Sequence, residues 1–502
     1  MRFAIVHFGG IFVEFAGRSS RLVEGVLAVA ATAAMMFFGN GLEPVWPFLW
    51  VAPLPVLWFA LRSPWRSGAL AAGVAWLVGC LNLWGYMHYL GLPPMAWLGG
   101  FGLEATVFAL AVLLFRALVL RGAAWSALVS FPASWVTFEF VRNFAWPHGT
   151  AGSLAYSQLS FLPFLQLASL AGPWGMSFVL LLLPAGLAIA LFLRRTASRQ
   201  SRRMLAVTAG TVVAVLIFGA VRLRVPQPGP EVHAGLAVSD KRVPGGGSDP
   251  EPTLQAFAEK ASELAAGGSK VILSQEGLVT LTDSNVATGD AILQRLSDES
   301  GVMIVLGVNR ETASAAFDQA RVYRRGHAVA SYNKEHLLPP FELNFTPGKA
   351  LLHLNEASGM WGVAICKDMD FTPLSRQYGR SDIGLMLVPG GDFNVDRGWH
   401  GHMAIMRGVE DGFSVLRAAG RGYLTVSDGR GRILAERRSD LAPFVTLAAQ
   451  VPTGHSWTLF QLFGDWFGWL STGVVVSALI RLVLRRREKE AYSGAEGQAF
   501  MH

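Results

Sequence analysis

Two patterns of hydrophobic and polar positions divide the chain. Long, almost uncharged apolar runs fill the first 225 residues and return near the end. Each is about the 20 residues that a helix needs to cross a bilayer. They lie at about 22–39, 43–61, 69–90, 97–120, 123–143, 164–193 and 205–223, with an eighth at about 463–484. An apolar lead-in, Phe3 to Ala16, lacks a convincing cleavage site and reads as membrane-associated. Between the seventh and eighth runs the pattern changes. Short apolar runs at 232–238, 270–274, 302–308, 361–366 and 383–388 read as buried strands. Polar stretches at 251–266 and 286–299 read as helices between some of them. Alternation of this kind predicts a layered α/β domain, long enough to bury its own core.

The expected organisation has four parts. Residues 1–225 form a membrane domain of seven transmembrane helices, and 227–455 a separate α/β domain. Residues 457–486 carry the final span, and 487–502 an irregular tail. Val225-Pro-Gln-Pro-Gly-Pro230 reads as the linker into the α/β domain, and Pro244-Gly-Gly-Gly-Ser248 as a loop without phosphate-binding spacing.

Composition supports the membrane reading. Of 502 residues, 52% are hydrophobic and 15% charged. The net charge of +7 is carried beside the spans, which excludes a nucleic-acid face as its simplest meaning. Arg18 and Arg21 precede the first span, and Arg62 and Arg66 follow the second. Arg121 follows the fourth, Arg194 to Arg203 the sixth, and Arg485 to Lys489 the eighth. The intervening turns carry no Lys or Arg. By the positive-inside rule both termini are cytoplasmic and the α/β domain is extracytoplasmic. Glu139 and Arg142 lie three apart on one helix face, where a structural ion pair is the simplest reading.

Three groups at strand ends carry candidate chemistry: Glu276, Lys334 and Cys366. A carboxylate base, an ammonium and a thiol are the parts of nucleophilic catalysis with oxyanion stabilisation. Taken singly, each has a plainer reading: a solvated strand end, a surface charge, a packed thiol. The second cysteine, Cys80, falls in a span, so the two offer neither a disulfide framework nor a zinc spacing. His400 and His402 are a pair without further ligands, and neither a metal nor an organic cofactor is expected.

The local words extend this. Tyr332-Asn-Lys-Glu-His-Leu-Leu-Pro-Pro-Phe-Glu342 resembles the lysine motif of the nitrilase, or carbon–nitrogen hydrolase, superfamily. Ile365-Cys-Lys-Asp-Met-Asp-Phe371 resembles its nucleophile motif, and His402, Arg407 and Glu410 match its His-x4-Arg-x2-Glu helix. The resemblance implies an αββα sandwich with Glu276 as general base, Lys334 as oxyanion stabiliser and Cys366 as nucleophile. It gives Glu342, Asp368, His402, Arg407 and Glu410 supporting places. In the membrane half, Trp135-Val-Thr-Phe-Glu-Phe-Val-Arg142, Trp146-Pro…Tyr156-Ser-Gln158 and Ala171-Gly-Pro-Trp-Gly-Met-Ser-Phe178 resemble stretches of the apolipoprotein N-acyltransferases, as does Thr458-Leu-Phe…Gly464-Asp-Trp-Phe467. Three places depart from that family: Ser274-Gln-Glu-Gly277 at the base, Cys366-Lys-Asp368 at the nucleophile, and Gly390-Gly-Asp-Phe393 in place of an Asn-Asp-x-Trp-Phe loop.

The expected protein is a monomeric multi-pass enzyme of the cytoplasmic (inner) membrane with its catalytic domain on the periplasmic side. A phospholipid would donate an acyl group to Cys366, and the N-terminal amine of a lipoprotein, or another amine, would accept it. Phe341 and Phe393 are candidates for shielding the thioester from water. The alternative is a membrane-tethered amidase or nitrilase-type hydrolase, which Cys-Lys-Asp favours. A non-catalytic receptor on the same fold is the third reading.

Overall fold

The computed structural model describes the backbone of residues 2–240 and 249–499, and the glycine run 244–248 lies outside the described residues. Two compact units divide the chain. The first comprises Met1–Val141, Trp174–Val215 and Trp466–His502, and the second Arg142–Pro173 and Leu216–Asp465.

The first unit is helical. Among the described residues, six helices are long and apolar enough to cross a membrane: Ser20–Gly39, Trp65–Tyr89, Pro94–Leu120, Ala168–Leu193, Ser198–Arg224 and Trp466–Leu484. Two of the eight expected spans differ. The run at 43–61 forms a 3-10 turn (Trp46–Trp50) and a nine-residue helix (Leu54–Arg62). Pro44, Pro47, Pro53 and Pro55 explain this, because each lacks the amide a helix interior needs. The run at 123–143 is one helix, Ala124–Ala145, with Glu139, Arg142 and Asn143 in its last turns, and it falls short on apolarity. Glu139 accepts from the Trp135 indole at 2.9 Å. Aromatic packing centres on Trp76, whose ring lies 4.2 Å from Trp135 and 5.0 Å from Phe108. The last helix runs on through Ala499, where an irregular tail was expected. Arg, Lys, Glu and Ala are strong helix formers and extend a helix already nucleated.

The second unit holds the α/β domain. Its first sheet contains β1 (Glu231–Val238), β2 (Val271–Ser274), β3 (Val279–Leu281), β4 (Met303–Glu311), β5 (Ala316–Tyr323) and β6 (Ala330–Asn333). The second contains β7 (Leu352–Glu356), β8 (Gly359–Val363), β9 (Ile383–Gly391), β10 (Ser414–Gly420), β11 (Tyr423–Ser427) and β12 (Ile433–Arg438). The last strand, β13 (Val445–Pro452), returns to pair antiparallel with β1. The orders are β13-β1-β2-β4-β5-β6, with β3 also on β4, and β12-β11-β10-β9-β8-β7.

Side-chain alternation assigns each strand face to a layer. Val232, Ala234 and Leu236 of β1 share a core with Leu385 and Leu387 of β9 and Leu416 and Ala418 of β10, so the two sheets pack face to face. The opposite faces bury Ile272 and Ile304 under the helix Glu251–Ala266, and Met386 and Val388 under Ala404 of the helix Trp399–Asp411. The result is an αββα sandwich. Residues 142–173 belong to this unit, although the sequence pattern assigned them to spans and their connections.

Candidate active site

Glu276 follows β2 in a turn completed by Gly277, whose φ of 59° is the left-handed region that glycine adopts without a Cβ clash. Ser274 Oγ accepts from Gly307 N at 2.9 Å, and Gln275 is held on both backbone groups of Ser239, so the turn is fixed from both sides. Glu276 N donates to Gly390 O at 3.2 Å, which ties this sheet to the end of β9.

Lys334 follows β6. Its backbone N donates to Asp318 O, and its ammonium is 1% exposed. Nζ lies 2.5 Å from Glu276, 2.7 Å from Glu342 and 3.1 Å from Asp318. An ammonium has three N–H donors, and here it meets three carboxylates. These carboxylates are close enough together to hold a cation, and the ammonium is that cation.

The thiol comes from the other sheet. Strand β8 ends at Val363, earlier than the expected end at the thiol, and Cys366 opens a 3-10 turn through Asp370. Cys366 has a φ of 42°, a left-handed conformation that a non-glycine residue holds only when its surroundings impose it. Asp368 imposes it. Its carboxylate accepts from Ile365 N (3.0 Å), His336 N (2.8 Å) and Tyr332 OH (2.7 Å). The sulfur lies 3.4 Å from Gly391 O and 3.9 Å from Arg417 Nη2. Arg417 is bound by Asp392 through both terminal nitrogens, at 2.9 and 2.6 Å.

The ionisation pattern follows from burial and charge. Burial raises the Glu276 carboxyl, but Lys334 and hydrogen bonds outweigh it and hold Glu276 below its usual range. Burial and then the Glu276 charge push Asp318 well up, and the same two causes raise Glu342. Burial opposes the Lys334 ammonium, yet Glu276 and Asp318 keep its pKa well above the ordinary value. Burial, then Glu276, raises the Cys366 thiol. The resting site therefore holds an ionised Glu276 beside a protonated thiol, the state a base needs before it takes that proton.

The other residues singled out in the sequence fall into two groups. Phe341 and Phe393 come together, with ring centroids 5.3 Å apart and Phe341 exposed. Arg407 and Glu410 form a fully buried pair at 2.9 Å, behind the site, and Arg407 also donates to Tyr156 OH at 3.0 Å. His402 shares that helix, and burial followed by the Arg417 charge pushes its pKa down.

Asp318, the Arg417–Asp392 pair and the 142–173 segment were not picked out as site components from the sequence. Arg417 left a signal: it is a charge in the middle of the apolar strand Ser-Val-Leu-Arg-Ala-Ala-Gly. Asp318 left a weaker one, a carboxylate at an inward position of β5. The 142–173 segment gives Pro147 O and His148 Nδ1 to Lys367 Nζ, and Thr150 Oγ1 to Asp370 O at 2.7 Å. The turn that carries the thiol is thus bonded to a segment more than 190 residues before it.

An αββα sandwich with a carboxylate, an ammonium and a thiol at its strand ends resembles the enzymes of the carbon–nitrogen hydrolase superfamily. Within that class the chain resembles the apolipoprotein N-acyltransferases. Residues 24–186 match the family model described as the apolipoprotein N-acyltransferase N-terminal domain. The apolipoprotein N-acyltransferase of Geobacter metallireducens is 25% identical over 89% of this chain and 92% of its own. That of Shewanella oneidensis is 26% identical over 95% and 98%. Among solved structures, an amidase from Nesterenkonia of the nitrilase superfamily is 20% identical with a TM-score of 0.40, covering 45% of this chain and 93% of that one.

Proposed function

We propose that this multi-pass membrane protein transfers a fatty acyl group from a phospholipid to an amine through a thioester on Cys366. The observation that carries the reading is the approach of a protonated thiol, an ionised carboxylate and a buried ammonium, in a chain whose described residues include six apolar helices of spanning length. Cys366 Sγ attacks the ester carbonyl and its proton passes to Glu276. Lys334 stabilises the oxyanion that develops. Collapse breaks the C–O bond, and the glycerol oxygen leaves with the proton from Glu276. An amine then attacks the thioester, gives its proton to Glu276, and departs as an amide while sulfur takes the proton back. Asp318 and Glu342 hold the ammonium in place. Phe341 and Phe393 cover the acyl group and keep water from it.

The similarity to apolipoprotein N-acyltransferases supports the N-terminal diacylglyceryl-cysteine of a lipoprotein as the acceptor. The arginine alternation supports a cytoplasmic membrane location with the α/β domain on the periplasmic face. The direct test is the intact mass of the protein after incubation with phospholipid, then with a lipopeptide amine. The expected sequence is a gain of one acyl chain, followed by its loss to the amine as amide. Release only as free fatty acid, with every amine offered, would make the protein a hydrolase.

A further inference from the structure

The Lys334 ammonium acts on the resting sulfur through its charge and not through a hydrogen bond, because its three donors already face Glu276, Asp318 and Glu342. The other cation at the sulfur is Arg417, with Nη2 at 3.9 Å. It is 1% exposed, its Asp392 partner is fully buried, and Asp392 N is fixed on Gly420 O at 2.8 Å. The guanidinium passes where side chains are missing. A Cβ on Gly390 would stand 3.1 Å from Arg417 Cζ, and one on Gly391 would stand 3.2 Å from Glu276 Oε2. The Gly390-Gly391 pair therefore makes room for the guanidinium on one side and the base on the other.

We propose that Arg417, seated by Asp392 in the space left by Gly390, stabilises the Cys366 thiolate during attack. The inference rests on the reading of Cys366 as nucleophile. As the proton leaves sulfur for Glu276 and before the C–S bond is complete, the negative charge on sulfur lies beside Nη2. Arginine stays protonated at any working pH and is weakly hydrated, so it holds its charge beside the sulfur in a desolvated site. The charged groups facing the thiol are Glu276 and Asp392, which oppose the thiolate, and Lys334 and Arg417, which favour it. Lys367 adjoins it in the chain.

The test is alkylation of Cys366 by iodoacetamide in the full-length protein in detergent, followed by intact mass between about pH 6 and about pH 10. A Cys80→Ser background leaves one thiol. Arg417→Gln is expected to slow alkylation at neutral pH at least about tenfold and to move its midpoint up by at least about one unit. Arg417→Lys should recover part of the rate, and Gly390→Ala should slow it in the same direction by displacing the guanidinium. If Arg417→Gln fails to fold because Asp392 is left unpaired, the neutral pair Arg417→Gln/Asp392→Asn takes its place. A folded variant with the wild-type rate and midpoint overturns the proposal, even if its Tm has fallen. Alkylation needs no acyl donor, so a wild-type protein that alkylates in this way but takes no acyl group from phospholipid would count against the transferase reading alone.

Discussion

Two buried lysines flank the same thiol and meet opposite surroundings. Lys334 lies among three carboxylates, which outweigh burial and raise its pKa. Lys367, the residue after the nucleophile, is 2% exposed and has a backbone carbonyl and an imidazole for partners, with the Phe371 ring 5.5 Å away. Burial lowers its pKa, Asp370 offsets part of that, and Lys334 adds to the lowering. Two side chains nearly closed to solvent thus have opposite outcomes, and the number of carboxylates decides which. The difference separates the charge proposed to serve the reaction from one that anchors a segment.

The largest expected effect comes from removing the first charge. Lys334→Met leaves Glu276, Asp318 and Glu342 facing one another without a cation. Acyl-enzyme formation should fall by more than the 10²–10³ typical of one lost oxyanion donor, as read by intact mass over time. Breaking buried ion pairs on one side costs about 3–5 kcal/mol, so Tm should fall too. Normal acyl-enzyme formation in this variant would remove Lys334 from the first step.

Lys367→Met should behave in the opposite way. Among the described residues, the lysine has no carboxylate in hydrogen-bond contact, and its ammonium is disfavoured in the fold. The unfolded chain therefore binds more protons than the folded one as pH rises toward the ordinary lysine range, and wild-type stability increases with pH there. The variant should lose that slope and keep acyl-enzyme formation within about tenfold of wild type. A loss as deep as that of Lys334→Met would place Lys367 in the chemistry.

A middle-sized effect is expected at the rim. Phe341→Ala/Phe393→Ala should leave the first acylation intact but shift labelled acyl groups from amide toward free fatty acid. An unchanged product ratio would reduce the two rings to loop packing.

The smallest effect is at His148, beside Lys367. Burial first, then Lys367, lowers its pKa to about 4. Its unfolded value is the ordinary 6.5, so stability is full above about pH 6.5 and is lost as pH falls toward about 4. In Lys367→Met the like charge is gone and the acid-side loss should be shallower in a thermal melt. An identical acid limb would show that the two groups do not interact.

What was legible in the sequence was whatever a short word can carry. Glu276, Lys334 and Cys366 each end an apolar run, so their places could be read locally. Asp318 and Arg417 reach the site through strand pairing and sheet packing, which no local window encodes. Arg417 could still have been flagged as a charge inside a buried strand. The run at 43–61 was read by apolar content, which does not register four prolines. Residues 142–173 look like part of a membrane hairpin because Trp146, Phe144, Phe161 and Phe164 suit a bilayer interface as well as a protein one.

That last segment has a practical consequence for anyone who wants the α/β portion alone. A fragment cut at the Val225–Pro230 linker would lack Pro147, Thr150 and Tyr156, partners of Lys367, Asp370 and Arg407. Each buried group stripped of its partner costs about 1–3 kcal/mol, more when charged, against a total stability of about 5–15 kcal/mol. The cleanest cut in the sequence is therefore a poor place to divide the protein. Expression, crystallisation and domain-swapping work should carry residues 142–173 along with the α/β domain.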